Sequence, residues 1–278
     1  MRIDQRPSRL IDMLRAEFHP KNRHVYLSDD LWIVSRRVAW ETVISKYLAL
    51  PGLVEFWPMS AGRYNGATRS ITGLANQFHL TNNNGAQRGI YNDVVPYVQF
   101  NGTTQYLNYA DDPQFDISGN EVDEVDGFRG LTLGGWFWLD LLGTTTSFIS
   151  KFNNSAAGSY ALRKNSSDVV LLSGRDAAGA SFSHSSGFTL ARGRWHHIAV
   201  SLLTSVSVTI SVNGELSSTT SGVPGSIANS ALEFRIGDRP AGGESLGGRA
   251  ALCFVCAAGL SSKLMTWQFN QTKTFFGV

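Results

Sequence analysis

The chain has 278 residues, enough for one large domain or a domain with an appendage. Its formal net charge is +2, only 17% of residues are charged, and no stripe of Lys and Arg forms, which excludes a nucleic-acid footprint. No apolar run approaches about 18 residues, so no helical membrane span is expected. The opening MRIDQRPSRLIDMLRAEFHP has scattered charges and no apolar centre, so it does not read as a secretory signal peptide.

Residues 1–51 read as an arm distinct from the rest. They hold Arg2, Arg6, Arg9, Arg15, Arg23, Arg36 and Arg37, and the first glycine is Gly52. In the segment 8–18, Leu10, Ile11, Leu14 and Phe18 recur at helical spacing behind Ser8, a candidate N-cap. The stretch 30–50 is partly helical by the same criterion and stops at Pro51-Gly52, a breaker pair.

From residue 52 onward, short β-rich runs alternate with turn clusters such as NNNG at 82–85 and NG at 101–102 and 213–214. Strands are predicted over 53–57, 96–100, 131–139, 147–151, 159–163, 168–173, 181–184, 194–202, 206–212, 232–236 and 250–257. Many short strands with little helical periodicity imply an all-β jelly-roll sandwich of two antiparallel sheets, carrying the partly helical N-terminal arm.

Alternation orients these strands. In LTLGGWFWLD, Leu131, Leu133, Gly135, Phe137 and Leu139 share one face, while Trp136 and Trp138 share the other. In SVSVTISVNG, Val206, Val208, Ile210 and Val212 line one side. In GRWHHIAVSLL, His196, Ile198, Val200 and Leu202 fall on one face, and Trp195 and His197 on the other. Adjacent histidines on a strand point in opposite directions and do not chelate one ion together. Cys253 and Cys256, in CFVC, are likewise split between faces, and no second pair completes a zinc site. Both read as core cysteines.

These motifs carry a resemblance. GRWHHIAVSLLTSVSVTISVNGELSSTT resembles the signature hairpin of laminin-G-like domains of the concanavalin A-like lectin/glucanase superfamily. In the family's order, LVEFWPMS, YVQFNGTTQYLNYADDPQFDISG, LTLGGWFWLD and LEFRIGDRPAGGESLGGRAALCFVCAAGLS resemble its other motifs. The resemblance covers roughly residues 52–270 and implies a jelly-roll with one gently concave sheet, most often a binding or spacer module. Several members bind calcium or glycans. This chain departs from the pattern at Arg69-Ser70-Ile71-Thr72-Gly73 and at Ala250-Ala251, where relatives often carry carboxylates. Calcium needs several oxygen ligands including carboxylates, so the residues do not support a family-type calcium site, and no cofactor is expected.

Candidate chemistry is sparse. Glucanases of the superfamily use alternating carboxylates, and EVDEVD at 121–126 is the nearest match, but Val125 stands where a third acid would be. A retaining pair needs carboxyls about 5–5.5 Å apart, and Glu121 and Asp123 read instead as a solvated loop. There is no Gly-x-Ser-x-Gly elbow. GGESLGG at 242–248 lacks the Lys and following helix of a phosphate cradle and reads as a strand connection. No catalytic or metal residue is expected.

The candidate ligand surface is aromatic: Trp136, Trp138, Trp195 and His197, which either stack sugar rings or pack under a loop or the arm. Asn101, Asn153 and Asn154 are candidate polar contacts. The chain is therefore expected to be a non-enzymatic structural or binding protein. A phage virion component, capsid decoration or tail-associated, fits best: made in the host cytoplasm, anchored to neighbouring subunits of an oligomeric assembly through residues 1–51, and displaying a lectin-like domain to host-surface glycans. A free carbohydrate-binding module and a degenerate glycoside hydrolase are the alternatives. Neither nucleic acid nor membrane is an expected partner.

Overall fold

The computed structural model describes residues 29–59, 70–119, 129–153 and 158–278. The candidate helix at 8–18, the acidic run with Glu121 and Asp123, and Asn154 lie outside them. In chain order the elements are helix α1 (Asp29–Tyr47), β1 (Leu53–Trp57), β2 (Ser70–Ile71), β3 (Leu80–Asn83), β4 (Gln87–Tyr91), β5 (Val95–Asn101) and β6 (Tyr106–Tyr109). They continue with β7 (Leu131–Leu139), β8 (Thr146–Phe152), β9 (Gly158–Lys164), β10 (Val169–Arg175), β11 (Ser181–Thr189) and β12 (Trp195–Leu203). The last are β13 (Ser207–Val212), β14 (Glu215–Thr219), β15 (Phe234–Ile236), β16 (Gly247–Cys256) and helix α2 (Ser262–Phe276).

The strands form two antiparallel sheets of eight. One runs β14-β13-β12-β7-β16-β5-β4, with β1 also paired to β16; the other runs β11-β10-β9-β8-β15-β6-β3-β2. This is the expected jelly-roll sandwich, and every anticipated strand is present. The short or edge strands β2, β3, β4, β6 and β14 were not foreseen. Between the sheets, Leu133, Phe137, Ile198, Val200 and Ile210 meet Phe148, Leu162, Leu172, Phe234 and Ile236, all essentially buried. Each such side chain contributes about 1.5–3 kcal/mol of burial. Trp57, Phe115 and Phe234 stack at one end, with centroids 4.6 Å apart for the Phe pair and 5.3 Å for Trp57–Phe234. Val206 lies in the turn before β13 and is exposed, unlike Val208, Ile210 and Val212.

The compact body is Trp40–Val278, so the final turns of α1 belong with the sheets. The C-terminal helix α2 was not anticipated. Ser261 caps its start, its hydroxyl accepting from Leu264 N, and Gly277 ends it in the left-handed region (φ 71°). The helices matter because they cover the outer face of the first sheet. Trp40, Val43 and Tyr47 of α1 and Met265, Phe275 and Phe276 of α2 pack there with Phe56, Trp136, Trp195, Phe254 and Cys256, forming a second core. That sheet is therefore buried on both sides over much of its area, and β16 reads as almost continuously apolar for that reason.

A bulge in β16 divides its labour. Ala251 pairs with Trp136 and Phe254 with Gly134, so one extra residue is inserted, and Leu252 takes the left-handed conformation (φ 48°). Opposite it, a Cβ on Gly134 would meet the Phe254 ring at 2.6 Å and one on Gly135 the Cys253 sulfur at 3.1 Å, which accounts for the Gly-Gly pair in β7. Glu55 supplies a second organising device. Wholly buried, its carboxylate accepts from the backbone N–H groups of Phe56, Ala75, Asn76 and Phe78 at 2.6–3.1 Å, pinning the loop after β2.

Candidate ligand-binding face

Registers bring the four sequence-predicted residues together. Trp195 pairs with Trp138 and His197 with Trp136 across β12 and β7, on the outer face, as alternation requires. Helix α2 then closes most of this patch. Trp136 is fully buried: Phe276 stacks on it with centroids 4.0 Å apart, and its Nε1 donates to Thr272 Oγ1 at 3.0 Å. Trp195, also buried, meets Phe276 at 5.0 Å. His197 lies between Trp136 (5.3 Å) and Phe269 (6.1 Å), with neither ring nitrogen bonded. Burial alone pushes its pKa down to about 3, so the ring is neutral. These three side chains present no stacking surface to solvent. His196 turns the other way, against Ala191 O (2.9 Å) and the Asn213 side chain (3.2 Å).

Trp138 is the member that reaches solvent, half-buried at the margin of the second core. Its neighbours come from strands remote in sequence. Along one cross-strand row, Gln87 of β4 pairs with Gln99 of β5, Gln99 with Arg249 of β16, and Arg249 with Trp138 of β7. The Arg249 guanidinium lies 4.9 Å from the Trp138 centroid and 5.0 Å from that of Tyr97, between the two rings. Arg249 Nε donates to Gln99 Oε1 at 2.7 Å, and Gln99 Nε2 donates to Asp140 Oδ2 at 3.0 Å. Trp138 Nε1 donates to Asp140 Oδ1 at 2.9 Å, closing the ring. Gly89 leaves room for Tyr97, whose hydroxyl a Cβ would meet at 2.3 Å. Aromatic edges beside fixed amide, carboxylate and guanidinium groups are what a sugar needs: apolar contact for its C–H groups and oriented partners for its hydroxyls.

Other surfaces offer less. On the outer face of the second sheet the charges satisfy one another: Arg163 and Arg239 both pair with Glu244, and Arg235 with Glu233. The Gly-rich loop joins β15 to β16, as expected, and Glu244 N donates to Asp238 Oδ1 within it. Asn101 is spent on its own turn, accepting from Thr103, Thr104 and Gln105. A shallow groove of about 510 Å³ runs between α2 and β14, lined by Trp267, Leu216, Asn270 and Gln271 among others.

The described residues do not offer a family-type calcium site. Among the described residues, no three His, Cys, Asp or Glu gather to hold a metal. Where two carboxylates and a carbonyl do converge, the cation is the protein's own: Lys151 Nζ contacts Asp111 Oδ1 (2.6 Å), Asp116 Oδ1 (2.7 Å) and Ser230 O. Cys253 and Cys256 face opposite cores as free thiols, their pKa values pushed up by burial.

No curated protein matches the chain's sequence. Similar solved structures include the binding domain of Paraclostridial Mosquitocidal Protein 1, with TM-score 0.61 and 14% identity over 81% of this chain and 55% of that one. A botulinum neurotoxin type C structure aligns with TM-score 0.55 and 9% identity, over 82% of this chain and 52% of that one. Domain 4 of AbnA, an extracellular arabinanase from Geobacillus stearothermophilus, aligns with TM-score 0.54 and 12% identity, over 78% of this chain and 97% of that domain. The chain thus spans about half the length of the toxin chains, and at these identities the likeness is one of fold. The Laminin_G_3 family model, described as concanavalin A-like lectin/glucanases superfamily, matches residues 101–251. With more than half of its length matched, on a two-sheet jelly-roll, the chain belongs to the laminin-G-like family of that superfamily.

Proposed function

We propose that the chain is a non-enzymatic binding protein that takes a glycan at the Trp138 face. The observation that carries this reading is the open row Gln99–Arg249–Trp138, flanked by Tyr97 and braced by Asp140, on a sheet whose outer face helices cover over much of its area. Two fold relatives support it: the arabinanase domain was solved with arabinotriose, and the type C neurotoxin's cell entry depends on two ganglioside molecules. A glycan array followed by titration calorimetry tests the reading. Trp138→Ala should abolish binding and Trp267→Ala should preserve it. The reverse pattern would move the site to the groove beside α2.

A finer reading places this module in a phage virion, as a capsid decoration or tail-associated subunit. Its support is chemical: a sandwich of extracellular type is held without a disulfide, its two cysteines buried in separate cores, as expected for synthesis in a reducing cytoplasm. The anchor then lies in residues 1–39, because Trp40, Val43 and Tyr47 belong to the second core. Deleting residues 1–39 should leave a folded body that no longer enters particles. Normal incorporation of the truncated protein would refute this placement.

A further inference from the structure

The Trp138 face holds a guanidinium that the surrounding side chains orient but that no carboxylate among the described residues pairs directly. Arg163, Arg235 and Arg239 each pair with a carboxylate. Arg249 makes no ion pair among the described residues. The carboxylate nearest in the network, Asp140, spends Oδ1 on the Trp138 indole and Oδ2 on the Gln99 amide, both neutral donors. Gln99 in turn occupies only Arg249 Nε. Two rings pack against the guanidinium, their centroids 4.9 and 5.0 Å from its central carbon.

We infer that this face selects sugars bearing a carboxylate, held by the Nη1–Nη2 edge of Arg249. The inference rests on the glycan-binding reading above and adds the ligand's chemical class. With Nε engaged, the end-on fork is the remaining bidentate edge of the guanidinium, and a carboxylate matches its two parallel N–H groups. The flanking rings restrict rotation, so little side-chain entropy is lost on binding. Half-burial of Arg249 reduces the solvent screening that weakens fully exposed pairs. Tyr97 and Trp138 lie beside the fork, where the C–H groups of a pyranose would sit once its carboxylate is engaged.

Matched probes test this. Affinities for sialyllactose against its sialic acid methyl ester, and for trigalacturonate against its methyl ester, isolate the carboxylate. The wild-type chain should prefer the acid in a matched pair by about tenfold or more, the scale of a charge-assisted hydrogen-bonded pair. In Arg249→Gln the acid-to-neutral ratio should collapse towards one, and in Arg249→Lys it should fall to an intermediate value, because an ammonium keeps the charge without the fork. Raising sodium chloride to about 0.5 M should shrink the preference of the wild type. Unchanged melting temperatures would establish that both variants fold. Glycan binding with no acid preference, or a ratio untouched in Arg249→Gln, would overturn the inference while leaving the glycan reading intact. A panel with no binding at all would overturn both.

Discussion

Trp136 and Phe276 lie face to face, ring centroids 4.0 Å apart and planes 6° from parallel, and this contact fastens α2 to the first sheet. Thr272 adds the indole hydrogen bond one turn earlier. The helix is therefore structural, although it covers a face that alternation alone would leave open. Phe276→Ala should cost about 3–5 kcal/mol, the range for deleting a buried aromatic ring. Urea unfolding followed by tryptophan fluorescence measures it; a loss below about 1 kcal/mol would mean that the helix contributes little.

Glu55 makes a second strong expectation. Its carboxylate receives four backbone N–H groups in a fully buried position. Glu55→Gln keeps the volume but turns an amide NH₂ towards donors. The expected cost is about 2–4 kcal/mol, because buried donors lose their charged acceptor. Hydrogen exchange should locate the opening at residues 74–78.

Acid should weaken the fold through its buried histidines. His197 titrates near 3 in the folded chain against 6.5 unfolded, so between those values the unfolded chain binds the extra proton. Stability therefore falls as pH drops below about 6.5, by up to about 1.4 kcal/mol per pH unit from this one group. His184 and His196, both lowered by burial, add in the same direction. His197→Leu should flatten the acid limb of a urea-midpoint profile taken from pH 4.5 to 7.5. An equally steep profile in that variant would assign the effect elsewhere.

Lys151 predicts indifference to calcium. Its buried ammonium bridges Asp111, Asp116 and Ser230 O, so neither calcium nor EDTA should shift the melting temperature of the native chain. Lys151→Met should cost about 3 kcal/mol, the lower end for breaking a buried pair, since Asp111 remains partly solvated. Thermal melts of both proteins, with and without millimolar calcium, measure the two effects.

Much of the sandwich is visible in the sequence because period-two alternation is unambiguous where one face is apolar. Leu133 and Phe137 sort from Trp136 and Trp138 without any structure. Helix α2 is harder to read: its buried stripe includes Gln268 and Thr272 among Met265, Phe275 and Phe276, so the apolar periodicity is broken. Ser261 and Gly277 were the available signals. The strands β4 and β14 carry polar residues on both sides and lie at sheet edges, where alternation carries no information. Within the candidate site, Trp138 was legible as an outward tryptophan. Arg249 was not, because its pairing with Trp138 depends on long-range register.

The bulge at Leu252 gives β16 two parities. Arg249 and Phe254 stand an odd number of residues apart, so on a regular strand they would face opposite ways, yet both lie on the outer side. One half of the strand can thus build a helix-capped interior while the other half presents a cation to solvent. For an engineer or a diverging lineage, adding or removing one residue there is a change of address for every side chain on one arm of the strand, a larger step than any single substitution along it.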